Sequence, residues 1–348
     1  MNTEFIKLSG LLDKADQKNI ERAARVIRGG GLVAFPTETV YGLGGDATDP
    51  TAAAKIYAAK GRPADNPLII HIADPGEAAQ YTVTSELFDR LAAAFMPGPL
   101  TVVLPARSVI PRTVTAGLET VAVRCPVHPV ARALIRASGV PIAAPSANLS
   151  GSPSPTTAAH VREDMEGRID MILDGGDSEI GLESTIVKIE DDGSLTILRP
   201  GAITPEDLAG IGANVRIADA VMAALKAGET VLSPGMKYKH YAPKTPLFLL
   251  DGSREQIYHY LASREGEFSL LVYTEDMECF ADLRGAHPVP IGSRTEPAVL
   301  AHRLFSLLRE CDKAGLAAIY APLPDPHGLG LALYNRMIRA AAHRIITL

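Results

Sequence analysis

Lys60 and Arg62 flank a single glycine at the end of an Ala-rich run, Ile56-Tyr-Ala-Ala-Lys60-Gly-Arg62-Pro63. Gly61 and Pro63 stop a helix there, so the two cations either offset the helix dipole or form a clamp for an anion. Asn66-Pro67 turns the chain into residues 68–72, an apolar run short enough to be a buried strand, with His71 as its one polar side chain. A further strand over 119–125 places Thr120, Ala122 and Arg124 on one face and Val121 and Val123 on the other. An arginine in such a strand requires a carboxylate, supplied by the protein or by a ligand.

Two polar stretches follow apolar strands. Pro36-Thr37-Glu38-Thr39-Val-Tyr-Gly42-Leu-Gly44-Gly offers hydroxyls and, through a Gly-rich turn, backbone N–H groups to a small ligand. Pro145-Ser146-Ala-Asn148-Leu-Ser-Gly-Ser-Pro-Ser154-Pro suits a phosphate or ribose, or simply caps the helix that begins near Thr157. Gly42, Gly44 and Ala47 match a dinucleotide fingerprint only formally, because Pro36 to Tyr41 separate them from the strand that should precede them. No Gly-Lys-Ser/Thr follows for a P-loop, and Ser146 lacks the G-x-S-x-G surroundings of a hydrolase nucleophile.

The elements that must position these residues follow from periodicity. Ile20, Ala23, Ala24 and Ile27 predict a helix over 17–28, stopped by Gly29-Gly30-Gly31, and further helices fall at 85–95 and 128–137. Strands are predicted at 32–35, 100–104, 140–144, 169–173, 184–189 and 195–198, the last two joined by Asp191-Asp192-Gly193. Thr204-Pro205-Glu206-Asp207 is a helix start. Mixed hairpin and crossover spacings imply an α+β sheet with polar residues at strand ends. Residues 219–228 read as helix, and 233–243 place Lys237, Tyr238, Lys239 and Tyr241 between prolines, either a strap or a segment that crosses a site. From Pro246 onward, strands at 247–250, 269–273, 289–291 and 316–321 alternate with helices at 254–262, 296–314 and from 331, which predicts a small parallel α/β domain. Its first turn has no Gly-rich phosphate loop, so no catalytic site is assigned to it.

A length of 348 residues suggests two domains. The formal charge of -6 argues against a dedicated nucleic-acid coat, leaving room for a local basic cleft. Cys125, Cys279 and Cys311 are odd in number and without C-x-x-C spacing, as expected of reduced thiols and not of a structural zinc site. No signal-peptide core or spanning apolar run is evident, so a cytoplasmic location is expected, with no membrane contact.

Taken together, Lys60-Gly-Arg62, Pro-Ser146-Ala-Asn148, Pro-Thr37-Glu-Thr39-Val-Tyr-Gly-Leu and Glu183-Ser184-Thr resemble the YrdC-like domain, and the whole chain is similar to the long, two-domain form of threonylcarbamoyl-AMP synthase. The resemblance implies an α+β YrdC-like domain with a twisted mixed sheet over 1–215, a linker crossing the active site over 216–244, and a smaller Rossmann-like parallel-sheet domain over 245–348. It implies that L-threonine, bicarbonate or CO2, and ATP give threonylcarbamoyl-AMP and pyrophosphate, with Mg2+ on the phosphates. The product would pass to a separate transferase that modifies tRNA at position 37, with a weak contact to tRNA itself. Threonine would be bound by positions matching Thr39, His71, Arg124, the Ala144 backbone and Ser184. ATP would be bound by Arg62, Asn66, Thr120, Ser146, Asn148, Ser154, Arg199 and Tyr238, with Lys60 and Arg62 as the catalytic cations. The alternatives are an RNA-binding module of the same superfamily, a carbamoyl-transfer relative such as the hydrogenase-maturation domain, and a nicotinamide enzyme.

Overall fold

Apolar runs bounded by glycine, proline and acidic turns become the strands of the first unit, Met1–Ser150 with Ser154–Lys237; Gly151–Pro153 with Tyr238–Leu348 make up the second. The structure, a computed structural model, describes residues 2–222 and 240–348. Tyr238, the segment 233–239 and most of the helix expected over 219–228 lie outside the described residues, which show helix from Asp219 to Met222.

The first unit holds eleven strands: β1 (Glu4–Lys7), β2 (Val33–Phe35), β3 (Gly42–Asp46), β4 (Ile69–His71), β5 (Leu100–Pro105), β6 (Thr120–Arg124), β7 (Ile142–Ala143), β8 (Met171–Asp174), β9 (Thr185–Ile189), β10 (Leu195–Arg199) and β11 (Val215–Ile217). They form one mixed sheet in the order β1-β8-β2-β3-β7-β4-β6-β5-β9-β10-β11. Alternation along the strands feeds separate cores: two large ones and, from Ile69, Val103, Ala122, Ile186 and Leu198, a smaller one. Val33 and Phe35 pack with Ile27, Leu134 and Leu173, whereas Ala34, between them, packs with Leu43, Ile56, Leu68 and Ile70. Helices Lys14–Arg28 and Pro129–Ser138 close the first core; Pro50–Lys60 and Glu86–Phe95 close the second.

Helix Lys14–Arg28 buries the expected Ile20, Ala23, Ala24 and Ile27 but starts earlier than its apolar spacing suggests. Asp13 sets the start, because its carboxylate accepts from the N–H groups of Ala15 and Asp16. The Gly-rich stretch after Tyr41 differs from expectation more deeply. It is not a turn with free N–H groups but the buried strand β3, paired antiparallel to β2 and β7, and Leu43 donates its N–H to Pro145 O at 2.8 Å. Its glycines answer to packing: a Cβ on Gly44 would stand 2.7 Å from both Ile142 Cγ2 and Phe35 Cε1. The dinucleotide reading of Gly42 and Gly44 therefore fails, since the fingerprint requires them in a turn against a helix start.

The second unit is a five-stranded, wholly parallel sheet of β12 (Leu247–Asp251), β13 (Phe268–Val272), β14 (Ala286–Pro290), β15 (Ile319–Pro322) and β16 (Ile345–Thr347), ordered β14-β13-β15-β12-β16. Helices Arg254–Ala262, Pro297–Ala314 and Gly330–Ala340 alternate with these strands. Among the described residues, no helix is long and apolar enough to cross a membrane.

Gly44→Ala should lower stability by about 1–3 kcal/mol through overpacking at β2 and β7. Thermal unfolding of the variant measures this, and an unchanged melting temperature would show that β3 has room for a side chain.

Candidate active site

Helix Pro50–Lys60 is capped at its start by Asp49 and stopped by Gly61, whose φ of 60° is left-handed. That geometry puts Lys60 on the last turn with Arg62 just beyond it. Lys60 is buried at 3% exposure and donates to Ser146 O, to Asn148 O at 2.6 Å and to Asn148 Oδ1 at 3.4 Å. Ser146 Oγ in turn donates to Asn148 Oδ1 at 2.5 Å, and Ser150 N to Lys60 O at 2.9 Å. The Lys-x-Arg and Ser-x-Asn motifs are thus one hydrogen-bonded unit. Burial, with Arg62 nearby, pushes the Lys60 ammonium well below its ordinary range, while Asp164 and Glu183 oppose the shift.

Arg62 donates to Asn66 O and Pro67 O, each at 3.1 Å, which holds the Pro63–Pro67 turn against the helix end. Asn66 is fully buried, and among the described residues neither Oδ1 nor Nδ2 of its side chain has a hydrogen-bond partner. Leaving such groups unpaired costs about 1–3 kcal/mol each, which polar atoms of a ligand would recover.

Arg124 takes its carboxylate from the protein. Its Nη2 donates to Glu38 Oε1 at 2.5 Å, with both side chains 5% exposed or less. Glu38 Oε2 and His71 Nδ1 are buried without hydrogen-bond partners among the described residues. The parallel pairing of β4 with β6 sets His71 beside Arg124. Burial, reinforced by the Arg124 charge, holds the His71 imidazole down to about 3, so the ring is neutral; it stands edge-on to Phe35. Thr39 is fully buried and shares a 2.9 Å hydrogen bond with Thr37, whose hydroxyl also donates to Val40 O at 2.6 Å.

On the other flank, Ser184 Oγ lies 2.7 Å from Thr101 Oγ1, and Thr101 pairs with Arg124 across β5 and β6. Arg199 donates to Ser184 O at 3.1 Å and to Ser184 Oγ at 3.2 Å. Ser154 Oγ donates to the buried Glu183. Ala144 gives its N–H to Ile69 O at 2.9 Å, so only its carbonyl side remains for a ligand. Thr120 stands apart: it opens β6 opposite Pro105, about 13 Å along the strand from Arg124. The structure thus brings Lys60, Arg62, Asn66, Ser146 and Asn148 together on one side, and Thr39, His71, Arg124, Ser184 and Arg199 along neighbouring strand ends. Glu38, Glu183 and Thr101 join them without having been singled out as binding residues. A charged residue between two threonines just after a buried strand was the available signal for Glu38; Thr101, inside an ordinary apolar strand, gave none.

Comparison with known proteins gives the family of the chain. Residues 25–201 match the Sua5_yciO_yrdC family model, described as telomere recombination, and residues 203–342 match the model for the threonylcarbamoyl-AMP synthase C-terminal domain. The chain belongs to the threonylcarbamoyl-AMP synthase family. It is 43% identical to the threonylcarbamoyl-AMP synthase of Pyrococcus abyssi, over 96% of this chain and 97% of that one. The Bacillus subtilis threonylcarbamoyl-AMP synthase is 44% identical over 98% of each chain. The crystal structure of P. abyssi Sua5 complexed with L-threonine matches with a TM-score of 0.89 at 41% identity, covering all of both chains. This member of the threonylcarbamoyl-AMP synthase family therefore has the two-domain fold expected of it, an eleven-stranded mixed sheet and a parallel α/β unit.

Breaking the buried pair from either side, with Glu38→Gln or Arg124→Met, should cost about 3–5 kcal/mol, and the double variant should lose clearly less than the sum. Urea unfolding of the four proteins measures the coupling; additive losses would mean that the two groups do not hold each other. His71 gives a pH prediction. Its imidazole titrates near 3 when folded against an ordinary 6.5, so protonation favours the unfolded chain. The stability it contributes is intact above about pH 6.5 and falls as pH drops towards 3. Ring proton shifts of His71 should stay flat from about pH 8 to pH 5, and an inflection near 6.5 would contradict a buried neutral ring.

Proposed function

We propose that this site joins L-threonine, bicarbonate or CO2, and ATP into threonylcarbamoyl-AMP and pyrophosphate. The chain is a nucleotidyltransferase of the threonylcarbamoyl-AMP synthase type, with ATP and L-threonine as substrates. The observation that carries the reading is the union of Lys60 with Ser146 and Asn148, 86 and 88 residues away, beside Arg62 and the unpaired amide of Asn66. That unit gathers the basic side chains of Lys60 and Arg62 and the Asn66 amide in one place, without a Gly-rich loop.

The proposed roles follow the geometry. Arg124, oriented by Glu38, holds the threonine carboxylate, with Thr39, the Ala144 backbone and Ser184 around the rest of the amino acid. Neutral His71 is suited to exchange a hydrogen bond and not to supply charge. The threonine nitrogen takes up CO2 as a carbamate, losing a proton. A carbamate oxygen then attacks the α-phosphorus in line, the bond to the β-phosphate oxygen breaks, and pyrophosphate leaves. Arg62, Arg199 and Lys60, with Asn66, Ser146, Asn148 and Ser154, stabilise the charge that gathers on the phosphates. Thr120 and Tyr238 complete the proposed nucleotide contacts. The described residues contain no group of three or more His, Cys, Asp or Glu that could hold a metal. They do not form a protein cage for Mg2+, and no step is assigned to it; a Mg2+ would be carried on phosphate oxygens.

The product is a mixed anhydride and is labile, which supports transfer to a separate tRNA-modifying enzyme, with at most a weak tRNA contact here. Unpaired Cys125, Cys279 and Cys311 support a cytoplasmic setting. Pyrophosphate release should require threonine and bicarbonate together, with a product of threonylcarbamoyl-adenylate mass. Arg62→Ala should lower kcat about 100-fold or more, whereas Arg124→Lys should chiefly raise the KM for threonine. Pyrophosphate release without threonine, or none from folded protein, would overturn the reading.

A further inference from the structure

All five strands of the second unit are parallel, so their carboxyl ends and the turns that follow gather along one edge. The chain leaves β13 for β14 on one side and β15 for β16 on the other. Open parallel sheets hold ligands in the crevice between two such neighbours. A cavity of about 320 Å3 lies there, lined by residues at the ends of β12, β13 and β15, with Leu250, Leu270, Ile257 and Phe280 supplying apolar surface. Its size reaches the lower range of small-molecule sites.

The polar lining carries both signs. Arg294 is bonded to Asp276, and Arg254 Nη1 lies 3.9 Å from the other oxygen of the same carboxylate. Asp276 is buried, while the arginine side chains are 50% and 47% exposed, so one carboxylate anchors two guanidinium groups. Asp251, the last residue of β12, and Asp325, after β15, line the same cavity. Nearby acids are engaged: Glu255 with Arg254 at 3.3 Å, Glu275 with Ser293 and the Arg294 N–H, and Asp325 also touches His327.

This arrangement disfavours a polyphosphate. The helix Arg254–Ala262 opens with a capping box in which Ser253 and Gln256 satisfy each other's N–H groups. Gly252 is a packing glycine, since a Cβ there would stand 2.9 Å from Leu348 Cβ. A neutral molecule carrying both charges suits it better. We propose that the crevice binds a free α-amino acid, its carboxylate on Arg254 and Arg294, its ammonium towards Asp251 and Asp325, and its side chain on the apolar floor. The site is distinct from the one in the first unit and would make the second unit a sensor of amino-acid supply.

Calorimetric titration of the full chain with the protein amino acids, adenosine and inorganic phosphate as probes tests this. At least one amino acid should bind with Kd below about 1 mM, and Arg254→Gln, at an exposed position that leaves Arg294 on Asp276, should weaken that binding about tenfold or more. Asp251→Asn should weaken the amino acid but not its deaminated analogue. No amino-acid binding, amino-acid binding indifferent to Arg254→Gln, or adenosine or phosphate binding that Arg254→Gln weakens in place of amino-acid binding would overturn the proposal. Amino-acid binding at the first-unit site is separable, because it does not respond to Arg254→Gln.

Discussion

The first-unit site depends on a lysine that is taken out of water. A buried ammonium is costly unless every donor finds a partner, and Lys60 meets that condition with two main-chain carbonyls and an amide oxygen of one loop. Those acceptors exist only if the loop after β7 is in place, and the loop places Ser146 and Asn148. Helix end and loop therefore fix each other. The constraint extends to the neighbouring strand, because Leu43 of β3 donates to Pro145 O and Ala147 to Tyr41 O.

A second buried pair fixes the other half. Glu38, in the segment between β2 and β3, and Arg124, the last residue of β6, lie far apart in sequence and are brought together as an ion pair, while the pairing of β4, β6 and β5 sets His71 and Thr101 level with Arg124. Each half keeps a few polar atoms without partners among the described residues, at Asn66, His71 and Glu38. Such groups lower the stability of the free protein, and they point to where ligand atoms fit. The Lys60 contacts and the Glu38–Arg124 pair supply rigidity, and in the proposed reaction the atoms without partners would supply affinity.

Much of this was legible in the sequence. Alternation in β6 put Arg124 and Thr120 on one face, and Gly61 with Pro63 ended the helix at Lys60, because both signals are local. The parallel second sheet was equally readable from strand and helix alternation. Pairing order was not. Gly42–Asp46 reads as a turn, since nothing within it reveals that Phe35 and Ile142 crowd its α-carbons from other strands. The short edge strands β1, β11 and β16 were missed because exposed three- and four-residue strands carry little pattern. Arg124 left its partner open between protein and ligand, and only the long-range approach of Glu38 decides it. The site residues themselves came from family resemblance; spacing alone left the loop at Ser146 equally readable as a helix cap.

The same contacts bear on what the chemistry can be. Ser184 shares its hydroxyl with Thr101 and Arg199, and Ser146 gives its proton to Asn148. Cys125 is buried, which pushes its thiol up to about 11 although Arg132 works against the shift. His71, the imidazole level with Arg124, is buried edge-on to Phe35, and burial with the Arg124 charge holds it well below its ordinary range, so it is a weak base. These groups are arranged to hold a geometry and not to attack. The proposed reaction, in which the substrates supply nucleophile and leaving group and the protein supplies position and charge, asks nothing more of such a site.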